Sequence, residues 1–229
     1  MSRVDLVRAD LANLARDPML LAAGVAPLLV AVLVMFGFDP LAAAVAGFVE
    51  LDRPLVVGAA LLLAPLLMGF VVGFLLVEEH EERILDAVAV TPLGNSGFLR
   101  HRLALPAVVG TGAALLVGGL VGELSAVALA AVAVLAGATA TLVTMTMAAI
   151  ARDRVQALAV SKLTGFLLVA AVAFQFVEGW WRVPLGVLPA TWLVETAVSS
   201  TVLQPFLLGV ATHAAAGLGL WRLLQGRLP

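Results

Sequence analysis

The chain has 229 residues, 62% of them hydrophobic and 12% charged, with a formal net charge of -2 and no cysteine; its mean hydropathy is +1.11. So much apolar side chain against so little charge excludes an ordinary soluble domain and points to an all-α polytopic membrane protein. The missing cysteines exclude disulfides, thiol nucleophiles and thiolate metal sites.

Residues 3–16 carry Val4, Val7, Leu11 and Leu14 at three- and four-residue spacing, with Arg3, Asp5, Arg8, Asp10, Asn13 and Arg16 on the other faces. That stripe predicts an amphipathic helix lying in the membrane interface, with a solvated N-terminal helix as the alternative. Asp17-Pro18 opens the first span, 18–38, because Asp caps a helix and Pro is tolerated in its first turn. Its apolar run is too long for a signal-peptide core, which favours a retained anchor despite the small residues Ala42 to Ala44. Asp39-Pro40 is expected to end it.

The second span, 55–77, contains Gly69 and Gly73 four apart. That spacing lets helices approach closely, inside the bundle in preference to across a dimer. Spans 103–122 and 125–150 follow, separated by a short turn around Glu123. Thr139, Thr141, Thr144 and Thr146 in the fourth span are expected to bond carbonyls one turn back. The fifth span, 157–177, has Lys162 near its entry, placed to snorkel toward the headgroups. Trp180, Trp181 and Trp192 lie in the stretch 178–200, where interfacial belts place tryptophan. The sixth span, 202–221, is followed by a short basic tail.

A cytoplasmic N-terminus puts eleven of the 13 basic residues inside and leaves Arg53 and Arg182 outside. That positive-inside bias predicts six spans in the cell membrane with both termini cytoplasmic. The whole chain, 1–229, reads as one transmembrane domain.

The densest charge lies between the second and third spans, from Glu78 to Pro92. Glu79, Glu81, Glu82 and Asp86 suit the start of a short helix, and Ile84, Leu85 and Val88 suit one apolar face. Thr91-Pro92 stops it. Such a capped helix in a loop suits a lever, although an acidic surface loop without a partner has the same composition. His80 among glutamates is more simply solvated than cation-binding. His213, inside the sixth span, is either functional or satisfied by Thr212 or a backbone carbonyl. There is no phosphate-loop motif, metal-spaced ligand set, paired intramembrane carboxylates or nucleophile–base pair in the sequence, so neither catalysis nor a cofactor is expected.

The chain resembles the permease subunits of ABC-2 type transporters, in particular small drug-efflux permeases of the fluoroquinolone-export type. The resemblance rests on Arg16-Asp17-Pro18 and on a loop pattern E-x-E-x-G-T-L-E-x-L-x-V-T-P. Glu79, Glu81, Leu85, Asp86, Val88, Val90, Thr91 and Pro92 match it, while Arg83 and Ile84 replace the usual glycine and threonine. It also rests on Gly186, Pro189 and Trp192, which fit a G-x-x-P-x-x-W pattern.

The resemblance implies six helices per subunit, a second permease copy or sister permease, and two cytoplasmic ABC ATPase subunits. The residues from Glu79 to Pro92 would then form the coupling helix. The segment containing Pro184, Gly186, Pro189 and Trp192 would re-enter the membrane and help close an outer gate, with His213 a candidate pathway residue. The cargo implied is an amphipathic small molecule, drug or lipid; haem export is a further possibility in the same class. The competing expectation is a membrane scaffold that docks a soluble partner through its acidic loop. Nucleic acid has no place in either reading.

Overall fold

The computed structural model describes residues 18–47, 50–81 and 94–225. The interfacial helix expected at 3–16 and the loop residues Glu82, Ile84, Leu85, Asp86, Val88, Thr91 and Pro92 lie outside them.

Six long helices dominate: α1 (Pro18–Val45), α2 (Arg53–Glu81), α3 (Gly94–Val121), α4 (Ala126–Ile150), α5 (Arg154–Ala173) and α8 (Leu203–Gln225). Each contains a stretch long and apolar enough to cross a bilayer. Between α5 and α8 come a 3-10 turn at Gly179–Trp181 and two short helices, α6 (Arg182–Gly186) and α7 (Pro189–Val198). The end of the bundle where α2 finishes and α5 starts is called proximal below, and the opposite end distal.

α4 is the centre. It is apolar all round and is packed by α2, α3, α7 and α8, as a helix without a polar face must be. Its approach to α2 depends on glycine: a Cβ at Gly69 would stand 2.5 Å from the Ala140 carbonyl oxygen and 2.7 Å from Val143 Cβ. Gly73 similarly admits Met147. Both glycines therefore serve packing within the chain. Thr144 reinforces the seam by donating to the Gly69 carbonyl at 3.0 Å. All four threonines also bond one turn back, Thr139 to Leu135, Thr141 to Gly137, Thr144 to Ala140 and Thr146 to Leu142. Lys162 is exposed.

Helix ends follow local chemistry. Ser125 caps α4 by accepting from the Ala128 amide at 3.2 Å, and Gly122 supplies the positive φ of 71° that the α3–α4 turn requires. Asp153 caps α5 by accepting from the Gln156 amide at 2.8 Å. α5 consequently begins before residue 157 and is over by Phe174.

Asp39-Pro40 does not end α1, which continues to Val45 with Pro27 and Pro40 inside it. Proline keeps a helical φ and removes only one amide bond. The exposed Asp39 accepts from Arg53 at 3.3 Å, so the polar pair is satisfied without breaking the helix. Arg53 also reaches Glu123 at 2.9 Å and lies 5.2 Å from the Phe38 ring centre. One guanidinium thus ties α1, α2 and the α3–α4 turn together distally. Otherwise α1 is peripheral, burying Ala31, Val34 and Phe38 while Leu29, Leu33 and Phe36 stay exposed.

The seam at Gly69 makes a testable demand. Gly69→Val should destabilise the protein in detergent by about 1–3 kcal/mol, the usual cost of overpacking. Gly112→Val, where a Cβ meets nothing within 4 Å, should leave the thermal midpoint unchanged. Thermal unfolding followed by size-exclusion chromatography distinguishes the two.

Candidate functional site

Two places bring the predicted functional residues together. The first is the proximal end of α2. Glu78, Glu79 and Glu81 lie in the last described turn of α2, whereas the charge pattern alone assigns Glu79 and Glu81 to the start of a separate short helix. Three carboxylates this close together repel one another, and arginines from other helices compensate. Arg102 of α3 forks onto Glu79, with its Nε 3.2 Å from Oε2 and its Nη2 on Oε1. Arg154 of α5 reaches Glu78 at 2.7 Å and Glu81 at 3.5 Å. The Arg102–Glu79 pair is the more buried, at 18% and 13% side-chain exposure, so it is the better shielded. One helix end therefore holds both neighbours by charge.

The second place is the stretch after α5. Near Phe174 the chain leaves the helix, and Gln175 donates to Glu195 of α7 at 2.9 Å. Trp180 and Trp181 stack at 3.9 Å between centroids and are exposed, as belt residues would be. Trp192 departs from that expectation. Its ring meets Phe174 edge-on at 5.5 Å, and its Cβ would be 3.1 Å from a Cβ built at Gly209. Its Nε1 donates to the Gly186 carbonyl at 2.7 Å, while Thr191 donates to the Leu185 carbonyl at 2.9 Å. These two bonds fold the α6–α7 turn back on itself.

The depth of that turn follows from its neighbours. Pro189 and Ala190 line a cavity of about 210 Å³ together with Thr139 of α4, Thr164 of α5 and Ala216 of α8. Each of those three lies near the midpoint of its helix. α7 then climbs distally, and Val194 and Val198 meet Gly58 near the distal start of α2. The chain therefore dips to the middle of the bundle and returns. Ala190, Thr191, Leu193, Val194 and Thr196 are buried by that descent.

The cavity exists because α7 is short. It packs against both α5 and α8, which have no appreciable packing on each other among the described residues. Proximal to Pro189 the gap between them is unfilled, down to Ile150 and Leu220. The walls are apolar, and the hydroxyls of Thr139, Thr146 and Thr164 each have a helix carbonyl to donate to. On the distal side of the turn lies a second space of about 700 Å³, bounded by Phe174, Arg182, Glu195 and Gln204. Arg182 stacks 4.0 Å from the Phe174 ring centre and approaches Glu195 at 3.7 Å. Pro184 lies in α6, and of the predicted gate residues Gly186 and Trp192 line this distal space while Pro189 lines the proximal cavity.

His213 is buried and lines neither space. Its Nδ1 is 2.7 Å from the Gly209 carbonyl, which can only accept, so Nδ1 is protonated. Its Nε2 is 2.8 Å from Thr139 Oγ1. The Gly209 carbonyl satisfies Nδ1, while Nε2 and the Leu135 carbonyl share the single hydroxyl proton of Thr139; Thr212 instead donates to carbonyls of its own helix. His213 thus fixes a cavity-wall threonine from behind. Sequence reading missed Thr139 as its partner because the two lie 74 positions apart.

Arg102→Glu should lower stability by about 1.5–3 kcal/mol, typical of losing a hydrogen bond to a charged group. Combining it with Glu79→Arg should recover at least half of that loss. A double-mutant cycle on thermal midpoints reads both.

A profile described as fluoroquinolones export permease protein Rv2686c-like matches residues 10–224. Two relatives from Mycobacterium tuberculosis carry the name fluoroquinolones export permease protein: MT2760 of strain CDC 1551 / Oshkosh and Rv2686c of strain H37Rv. Each is 27% identical over 226 residues, covering 91% of this chain and 88% of the relative. No solved structure matches the chain. The match takes in all six long helices but only part of the terminal segments, and with the helical architecture it makes the chain a member of the Rv2686c-like fluoroquinolone export permease family, of ABC-2 type.

Proposed function

We propose that this chain is the membrane-spanning half of an ATP-driven exporter, which moves an amphipathic small molecule, drug or lipid using ATP hydrolysed on a separate ABC ATPase. Family membership supports the class. The observation that carries the mechanism is the charged end of α2. The segment 82–93 follows directly from a turn in which Glu79 is held by α3 and Glu78 and Glu81 are held by α5. A push on that segment is delivered to three helices at once.

In this reading the proximal end is cytoplasmic, as the distribution of arginine favours. Ile84, Leu85, Val88, Thr91 and Pro92 form the coupling element with Glu79, Glu81, Glu82 and Asp86, and it seats in the ATPase. Two ATPase subunits act on two permeases, identical or sister. The α6–α7 turn, with Pro184, Gly186, Pro189 and Trp192, is the outer gate. Its apolar underside and the adjoining cavity suit the hydrophobic part of an amphiphile entering from the inner leaflet. His213 acts on that pathway through Thr139.

The decisive experiment is co-purification with a candidate ABC ATPase subunit, followed by ATP turnover and fluoroquinolone export in proteoliposomes. Stable association and ATP-dependent export are expected; no association would favour the scaffold reading. Leu85→Asp combined with Val88→Asp should insert normally yet reduce export per ATP by about tenfold or more, equivalent to at least ~1.4 kcal/mol of lost coupling. Wild-type export per ATP in that variant would remove the lever assignment.

A further inference from the structure

The proximal cavity is a groove of definite length. Its α4 wall runs from Thr139 to Ile150, which is about 17 Å at 1.5 Å per residue. One leaflet of a typical bilayer holds about 15 Å of hydrocarbon, half of the ~30 Å core. The groove therefore spans one leaflet, floored at mid-depth by Pro189 and Ala190 and ending proximally at Ile150 and Leu220. It opens sideways, because Ile150 and Leu163 line it and yet remain 50% and 62% exposed. In a membrane, acyl chains lie against those two residues.

The walls suit such a chain. Leu142, Val143, Val160 and Leu167 face the space. The hydroxyls of Thr146 and Thr164 donate to the Leu142 and Ser161 carbonyls, so they hold no spare proton for a polar guest. The volume is about 210 Å³, smaller than the roughly 300–1,000 Å³ of pockets that enclose a whole drug-sized molecule.

The proximal end carries charge. Arg152 follows Ile150 in the link to α5, two residues on. Its amide donates to Gln156 Oε1 at 3.1 Å, which fixes the link. Its side chain is exposed and makes no ion pair among the described residues. The adjacent Asp153 carboxylate is occupied by the amide and the side-chain NH2 of Gln156, at 2.8 and 3.0 Å. Arg154 is committed to Glu78 and Glu81. Arg152 thus supplies an available guanidinium at the end of the groove, and a guanidinium pairs with phosphate through two parallel hydrogen bonds.

We propose that the groove is a phospholipid site: one acyl chain of an anionic lipid from the proximal leaflet lies between α5 and α8 beneath α7, with its phosphate on Arg152. The lipid is a fixed part of the fold and no part of a transport route. Its chain fills the space that α7 is too short to fill. It also gives α5 and α8 the contact that they lack directly among the described residues. The site depends on groove length and charge, and is independent of the export reading.

Native mass spectrometry of the full chain, delipidated in detergent and titrated with dioleoylphosphatidylglycerol, tests the site. One lipid should bind ahead of all others. Glycerophosphoglycerol, the same headgroup without chains, should not bind. Arg152→Gln should raise the Kd about tenfold, as loss of a charge-assisted contact does. Lys162 is exposed on α5 but lines no part of the groove, so Lys162→Gln should leave the Kd unchanged. Ala216→Leu enlarges a side chain that lines the groove and should also weaken binding about tenfold. Arg152 lies on the surface, so its variant still reports if Ala216→Leu does not fold.

An unchanged Kd in Arg152→Gln, or in a folded Ala216→Leu, overturns the site. So does equal weakening by Arg152→Gln and Lys162→Gln, which would mean unspecific attraction, and so does binding of the headgroup alone. Displacement of the bound lipid by norfloxacin, one for one, would give the groove to the cargo instead and overturn the lipid assignment.

Discussion

At Gly69 the backbones of α2 and α4 come within reach of a hydrogen bond between a side chain of one and a carbonyl of the other, Thr144 to Gly69 at 3.0 Å. In lipid there is no hydrophobic gain from bringing two greasy helices together, so association depends on close van der Waals fit and on such bonds. The remaining elements use the seam as their reference. α3 presses Gly110 toward Ala140, while Gly137 of α4 faces Ala107 and Thr111. α8 takes another side of α4, with Gly209 against Leu135 and His213 against Thr139. A Cβ added at the seam would move the helix from which all these contacts are measured.

α7 is the element whose length matters most for function. It reaches from the distal end only to the middle of the bundle, and it separates α5 from α8 without filling the space between them. The polar groups of that region, Gln175, Arg182 and Glu195, are gathered distally, leaving apolar side chains to face the gap below. The resulting asymmetry is a consequence of where one ten-residue helix starts.

The long helices were legible in the sequence because charge-free apolar runs of such length have few other uses. The threonine back-bonds and the packing role of Gly69 and Gly73 followed from side-chain chemistry within one helix. Asp39-Pro40 misled because a local helix-breaking preference competed with the Arg53–Asp39 pair, whose partners lie on different helices. Glu79 and Glu81 look like the start of a separate helix because nothing nearby in sequence shows that they continue α2 and pair there with Arg102 and Arg154. Trp192 belongs with the aromatic belt by composition, yet Gly186, Phe174 and Gly209 draw it inward. The partnership of His213 with Thr139 and the two spaces beside the turn depend on tertiary neighbours, and no local pattern encodes them.

The unequal lengths of the long helices bear on the lipid around them. α5 has 20 residues, about 30 Å at 1.5 Å per residue, which equals a typical hydrocarbon thickness. α1 has 28 residues, about 42 Å by the same measure. The bilayer thus meets α5 without mismatch, whereas α1 must tilt or send its ends into the headgroups. α1 is also the helix with the least buried surface among the candidate spans. α1, at the edge of the bundle and tethered distally through Arg53, therefore presents more of its length to lipid than the other candidate spans do.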